Sequence, residues 1–397
     1  MICRLLLEQS VSAAGRSPGS AVVLTAVCEP CPEQHPALVD ALQARGIPVL
    51  TRWQDLLAQP LQAVWLPLPI PLHRPYTEDA LAAGLAVLCE KPAAGCIQDL
   101  DAMREARDDA RLPVALGFQD IYQPSTLALK SLLAAGDIGT IRSVSITACW
   151  SRDSRYYARS TWAGRCRQDS VWVMDSPASN ALAHPLNLAL FLLGATPEAS
   201  AAPARVEAEL YRAYPIENYD TCGLRLVTEQ GIPVLALFTH ACRETHDTRM
   251  IIRGDQGEII YDHGRQAEVR TARGAQTLPL TPPPHQAMIE RFANLVRGAA
   301  DERPVATLEV ARAHLIAVNG ASEAVPVRSI PPTFVDAAQN ADGGTQRAID
   351  GIEDLFQTCV REGCLPHETG RAAWTAPAGG RDLRGYAHFA GPAEAVG

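Results

Sequence analysis

The 397-residue chain contains no dense block of lysine and arginine, so nothing in it matches the phosphates of a nucleic acid or an anionic membrane surface. Its net charge of -9 is modest for this length. No stretch approaches the roughly 18 uninterrupted apolar residues of a membrane span, and the first residues have one arginine and a short apolar run rather than a charged segment followed by a long apolar one, which is a poor signal peptide. Zinc spacing is missing as well: Cys28 and Cys31 form a single C-x-x-C without a second Cys/His pair, so no metal site is expected. Aromatics are sparse, at 6%. The eleven cysteines are odd in number and scattered through apolar runs, which fits reduced thiols buried as small hydrophobes and places the chain in the cytoplasm. The partner these absences leave is a small molecule.

One further absence concerns the start. The chain has no G-x-G-x-x-G before Val22, although a dinucleotide fold needs glycines there so that backbone N–H groups can approach a pyrophosphate at a helix N-terminus. Residues 1–14 read instead as the helix that follows such a turn, and 15–20 as a loop into the second strand. Two explanations are open: a sequence that begins at an internal methionine and lacks its first strand, which is the favoured expectation, or a chain that has given up phosphate binding.

What is present is an apolar content of 47% and a length that points to two domains, each with a core. Up to about residue 120, short apolar runs at 22–28, 48–51, 63–68, 86–90 and 112–118 alternate with helical patterns at 36–45, 75–83 and 97–108. That order predicts a doubly wound parallel sheet with crossover helices. From residue 119 the grammar changes. Alternating runs at 141–150, 204–211, 221–228, 234–241 and 249–252 predict a largely antiparallel sheet with one face covered by helices at 180–193, 286–297 and 308–324. The last two are expected to return to the first domain. The predicted division is 1–121, a dinucleotide-binding domain; 122–325, an α+β substrate and oligomerisation domain; and 326–397, an extension with one amphipathic helix at 345–361 and a Gly/Pro-rich stretch around Trp374. An exposed sheet face in the second domain is expected to build a homo-oligomer.

Chemistry concentrates where two successive parallel strands end, at Pro69 to His73 and at Glu90-Lys91-Pro92, because open α/β sheets bind ligands at the carboxyl ends of their strands. A partly desolvated lysine there can exchange a proton with a substrate hydroxyl. Glu29 ends an earlier strand in the place where a carboxylate bonds the ribose hydroxyls of NAD, and so favours NAD over NADP. Tyr157, Trp162, Arg165 and Asp175 lie between the first strand of the second domain and its apolar helix. Aromatic faces stack on sugar rings while Arg, Asp and Asn bond hydroxyls, so this segment suits a carbohydrate-like substrate.

The spacing of His73, Ala82-Ala83-Gly84 and Glu90-Lys91-Pro92, with Leu116-Gly117-Phe118-Gln119, Gly136-Asp137-Ile138-Gly139 and Gly254-Asp255-Gln256-Gly257 in order behind them, resembles the glucose-fructose oxidoreductase and inositol dehydrogenase family (Gfo/Idh/MocA). The resemblance implies an NAD- or NADP-dependent oxidoreductase moving a hydride to or from a secondary alcohol of a sugar or cyclitol. It implies that Lys91 is part of the catalytic machinery and that Pro69, His73, Glu90, Lys91, Pro92 and Gln119 lie against the cofactor. Asn180, His184 and Asn187 occupy the family's active-site helix start; on a helix Asn180 and His184, four apart, share a face. Many members have aspartates at positions 180 and 187. An amide takes no proton, so Lys91 and His184 are expected to share acid/base work while Asn180 orients, and Asn180 is expected to contact the substrate as well. Two other functions stay open at this point: a redox-silent carbohydrate-binding relative, and an NAD-assisted sugar lyase or hydrolase without net redox change.

Overall fold

The computed structural model describes residues 22–279 and 284–394. The expected helix at 1–14 and loop at 15–20 lie outside the described residues. The chain first forms β1 (Val27–Cys28), α1 (Pro36–Gln43), β2 (Val49–Leu50), α2 (Trp53–Leu57), β3 (Ala63–Leu66), α3 (Ile70–Ala82), β4 (Ala86–Cys89), α4 (Ile97–Ala110) and β5 (Val114–Leu116). All pairings among these strands are parallel. Every residue of β4 is buried, as expected for a parallel strand covered on both faces by crossover helices. Among the described residues the sheet comes in two pieces, β1-β2 and β3-β4-β5. In a doubly wound sheet of order 3-2-1-4-5-6 a first, central strand joins two such halves.

Register aligns the ends that matter. Leu66 pairs Cys89, and Cys89 pairs Leu116, so Pro69, Glu90-Lys91-Pro92 and Gly117-Phe118-Gln119 follow three adjacent strand ends on one edge. The helix expected at 75–83 begins five residues earlier, at Ile70. Pro71 falls in the first turn, where a missing N–H costs nothing, and Pro75 is carried inside the helix. His73 is therefore a helical residue and not part of a turn.

After a 3-10 turn at Gln119–Tyr122 come α5 (Pro124–Ala135), β6 (Ile141–Cys149), α6 (Ser154–Ala158), β7 (Arg167–Gln168), β8 (Val171–Trp172), a π-helical turn (Pro177–Ala181) and α7 (Ala183–Leu192). The chain then lays down β9 (Pro203–Arg212), β10 (Thr221–Thr228), β11 (Pro233–Thr239), β12 (His246–Gly254), β13 (Gly257–Asp262), β14 (Gln266–Thr271) and β15 (Gly274–Pro279). Next are α8 (Pro284–Val296), α9 (Leu308–Ala324), β16 (Arg328–Ser329), β17 (Val335–Gln339), β18 (Thr345–Ile349), α10 (Ile352–Glu362) and β19 (Gly379–Asp382). A sheet of order β15-β14-β13-β12-β6-β11-β10-β9-β16, with β19 also on β9, dominates this part. It is antiparallel except for the β11–β6 and β16–β9 pairs.

α7 and α9 cover the inner face. α9 returns to the first part as expected: Asn319 accepts from the Ile97 amide at 3.0 Å and donates to the Gly95 carbonyl at 3.0 Å, while the Leu116 amide bonds the Ala306 carbonyl. The outer face departs from expectation over β6, β9 and β11, where it is covered. Tyr211, Leu235, Leu237 and Cys149 pack there against Ile352, Leu355 and Phe356 of α10, with Leu365 and Trp374 closing the cluster. On these strands the expected exposed face is occupied by the chain's own tail, while β14 and β15 keep exposed residues. The single helix expected at 345–361 is instead β18, a turn at Gly351 with φ of 67°, and α10. Glycine takes that left-handed backbone without a Cβ clash and so ends the strand before the helix starts.

The final segment is likewise part of the fold rather than an appendage. β19 pairs β9, Leu383 sits where a Cβ on Gly320 would come within 2.2 Å of it, and Phe389 exchanges two 3.1 Å bonds with the side chain of Gln98. Among the described residues every cysteine is a free thiol, no group of residues is arranged to hold a metal ion, and no helix is long and apolar enough to cross a membrane.

Candidate active site

Lys91 reaches from the end of β4 to the π-helical turn. Its ammonium donates to the Asn180 carbonyl at 2.8 Å and to Asn180 Oδ1 at 3.0 Å. The Asn180 amide nitrogen donates in turn to Asp175 Oδ1 at 2.6 Å, and Asp175 Oδ2 accepts the Gly164 amide at 2.7 Å. Lysine only donates and a carboxylate only accepts, so the amide has one sensible orientation between them. Burial pushes Lys91 below the ordinary lysine range, opposed by the negative charges of Glu90 and Asp175. Burial also raises Asp175 and Glu90. A carboxylate missing at position 180 is therefore present one hydrogen bond further back.

His184 follows a break in the helix. The π-helical turn ends at Ala181, Leu182 leaves the helical region, and α7 starts at Ala183. Asn180 and His184 therefore do not lie on one continuous α-helix, yet both line the same cleft with Lys91. His184 Nδ1 is buried without a hydrogen-bond partner, 3.8 Å from Asp120 Oδ2, itself buried and unpartnered. His263, in the turn after β13, places its Nδ1 3.7 Å from the same oxygen. Burial holds His184 well below the usual histidine value, with the Lys91 charge adding to the effect, and burial raises Asp120, opposed by His263 and His285. His184 is thus kept neutral.

The cleft has a volume of about 360 Å³ and is lined by Gln119, Trp150, Arg152, Tyr156, Arg159 and Thr248 in addition to Lys91, Asn180, His184 and His263. Of the substrate residues expected from sequence, Asn180 faces it and Asp175 stands behind Asn180. Tyr157, Trp162 and Arg165 are not in its lining. The Tyr157 hydroxyl meets His240 Nδ1 at 3.2 Å and its ring packs on Tyr214; Trp162 contacts the Arg159 guanidinium; Arg165 is exposed. Neighbours close in sequence replace them, because α6 turns Tyr156 and Arg159 inward and Tyr157 toward the outer cluster. Sequence reasoning missed Asp120, His263, Arg152 and Arg159. Only Asp120, beside the expected Gln119, carried a local signal.

The residues expected to meet a cofactor divide into two groups. Glu29 ends β1 with its amide on the Leu50 carbonyl and its Oε1 accepting from the Cys31 amide at 3.0 Å. Pro69 precedes α3, and Gln119 and Lys91 open on the cleft. Glu90 is mostly buried, accepting from Trp65 Nε1 at 3.2 Å and the Lys91 amide at 3.3 Å. It lies under Gly117, where a Cβ would come within 2.6 Å of its Oε2. His73 and Pro92 are buried, and the ring nitrogens of His73 lie 2.8 Å from the Pro92 and Leu68 carbonyls. His73 therefore holds the Lys91 turn against the end of β3, both its ring nitrogens being turned to backbone carbonyls. The donor set thus fits the ribose and nicotinamide parts of a dinucleotide, whereas a pyrophosphate-binding turn before Val22 would lie outside the described residues.

Two family models match the chain in succession. An oxidoreductase family with an NAD-binding Rossmann fold matches residues 8–118, and the GFO/IDH/MocA C-terminal domain matches residues 126–260. The chain is 27% identical over 252 residues to dTDP-3,4-didehydro-2,6-dideoxy-alpha-D-glucose 3-reductase of Streptomyces violaceoruber, covering 60% of this chain and 68% of that protein. It is 26% identical over 271 residues to inositol 2-dehydrogenase of Rhizobium meliloti, covering 66% and 74%. In fold it resembles the WlbA dehydrogenase of Bordetella pertussis, solved with NADH and UDP-GlcNAcA, with a TM-score of 0.63, 22% identity and coverage of 80% and 92%. The chain belongs to the Gfo/Idh/MocA family of oxidoreductases, with its NAD-binding Rossmann domain followed by its C-terminal domain.

Proposed function

We propose that this chain transfers a hydride between NAD or NADP and a secondary alcohol of a sugar, cyclitol or derivative, with Lys91 as the acid/base group. The observation that carries the reading is the Lys91–Asn180–Asp175 chain at the carboxyl end of a parallel strand, opening on a cleft that His184 shares. Relatives named as a sugar 3-reductase and an inositol 2-dehydrogenase support it and do not favour the redox-silent or lyase alternatives.

The nicotinamide supplies the hydride acceptor or donor when bound. Lys91 has three N–H donors, of which Asn180 takes two, leaving the third for a substrate oxygen. As an amine Lys91 takes the hydroxyl proton while the C–H hydride leaves, and as an ammonium it returns that proton when a ketone is reduced. His184, neutral and with Nδ1 turned to Asp120, keeps Nε2 for a second hydroxyl or for relaying the proton to solvent. Glu29 holds the ribose, and Pro69, Glu90 and Gln119 shape the strand-end shelf for the nicotinamide. The chain divides functionally at 121 and 325, as a cofactor domain, a substrate domain and a tail. We place it in the cytoplasm, as a homo-oligomer assembled through a surface other than the one α10 covers.

The direct test is NADH binding by fluorescence, followed by a screen of sugars and cyclitols with both cofactors. Cofactor binding with turnover of a polyol supports the reading, and absence of NAD(P)H binding overturns it.

A further inference from the structure

Two arginines, Arg152 and Arg159, line the cleft that holds Lys91, and neither is clamped by two short bonds to a carboxylate as Arg312 and Arg225 are. Arg312 makes two bonds to Asp101, at 2.8 and 3.0 Å, and Arg225 makes two to Glu368, at 2.7 and 2.8 Å. Arg152 is half-buried, its Nε is buried without a hydrogen-bond partner, and among the described residues it makes no ion pair within 4 Å. Its guanidinium lies 4.9 Å from the Tyr156 ring centre and 5.5 Å from that of Trp150, a setting that orients the planar group without neutralising it. Arg159 stacks 3.7 Å from the Tyr156 ring and donates to the Tyr156 carbonyl at 2.6 Å. Its nearest carboxylate, Asp175, stands 3.7 Å away and is already engaged by Asn180 and Gly164. Trp150 Nε1 and Thr248 Oγ1, on the same wall, are buried and unpartnered too.

The chain as a whole is acidic, so this is a local concentration of positive charge and unused donors, built from the link between β6 and α6, the residue that caps α6, and β12. A neutral sugar seated in the cleft takes water from Arg152 without supplying an opposite charge, and leaving a desolvated charge unpaired is costly. A planar two-oxygen anion matches a guanidinium fork. Resting on the oxidoreductase reading of the same cleft, we propose that the substrate is a sugar acid, whose carboxylate is held by Arg152 and Arg159 while a secondary hydroxyl meets Lys91. Arg152 and Arg159 then determine specificity and take no part in the proton transfer.

Matched pairs test this: glucuronate against glucose, galacturonate against galactose, gluconate against glucitol, with glucose 6-phosphate as a further arm. Turnover is read as kcat and KM with both cofactors, and binding by calorimetry on the same full-length protein. The acid is expected to exceed its neutral partner by about 30-fold or more in kcat/KM, the usual scale for a desolvated charge pair. Arg152→Gln and Arg159→Gln are expected to collapse that ratio through KM, with melting temperature and NADH affinity preserved. Neutral sugars used as well as acids, a preference for the sugar phosphate, or a loss in R152Q that is equal for acid and neutral substrates would each overturn the proposal. Should no sugar be oxidised, acid binding that R152Q abolishes keeps the carboxylate site while refuting hydride transfer. Absence of acid binding refutes the carboxylate site.

Discussion

Lys91 can serve both directions of a redox reaction only if its proton affinity is close to that of its surroundings, and burial lowers it from the ordinary lysine range. Alcohol oxidation requires the amine, so its rate should rise with pH through the Lys91 pKa; ketone reduction requires the ammonium and should fall through the same value. Both limbs are expected below the pH at which a free lysine titrates, and pH profiles of kcat in the two directions check this. Lys91→Met should lower kcat by about 10²- to 10⁴-fold, the usual contribution of a general acid/base, with NADH affinity kept. Asp120 faces His184 at 3.8 Å and does not line the cleft, so the proposed mechanism gives it a positioning role. Asp120→Asn should lower kcat and shift the pH profile while leaving KM nearly unchanged, and an unmoved profile would remove it from the proton path.

Two further histidines bear on stability rather than chemistry. Burial pushes His314, which bonds the Ala178 carbonyl at 2.9 Å, down to about 4, and His240 down to about 3. Below the ordinary histidine value of about 6.5 the unfolded chain takes up these protons first. Their contribution is therefore complete above about pH 6.5 and is lost as pH falls toward the folded values, at about 1–3 kcal/mol per residue. Urea unfolding at neutral and mildly acid pH should show the loss, and His314→Gln should flatten the dependence.

At the scale of elements, local patterns were legible and non-local arrangements were not. β10 and α9 occupy the residues read from periodicity, and the buried run of β4 followed by Glu90-Lys91-Pro92 located the cleft lysine from sequence. α3 was misjudged because two prolines normally mark a boundary, yet here one sits in the first turn and the other is tolerated inside. Arg152 and Arg159 were not legible as cleft residues. They oppose Lys91 across some 60 residues of sequence, and which side of the short α6 turns inward depends on Tyr157 packing outward against His240 and Tyr214. Asp120 and His263 come together from a 3-10 turn and a hairpin, which share no periodicity. The covered outer face did leave a trace: β11, Val234-Leu235-Ala236-Leu237-Phe238, is apolar at consecutive positions, and such a run marks a strand buried on both sides.

For the whole molecule, the tail closes a layer that the sheet leaves open. Phe356 is 2% exposed in the outer cluster, and Phe356→Ala should cost about 3–5 kcal/mol, the range for removing a buried phenyl ring. Denaturant unfolding measures it. Because this cluster lies on the far side of the sheet from the cleft, folded F356A should retain the wild-type KM. The cleft depends on a different closure, in which a strand end of the Rossmann domain, the π-helical turn and the β13–β14 hairpin meet. Single-turnover hydride transfer from a C-deuterated polyol to NAD, compared between the wild-type protein and Lys91→Met, tests that account most directly. The account predicts deuterated NADH from the wild type at a rate that rises with pH, and the loss of both rate and pH dependence in K91M. An unchanged rate in K91M, with cofactor bound, would contradict it.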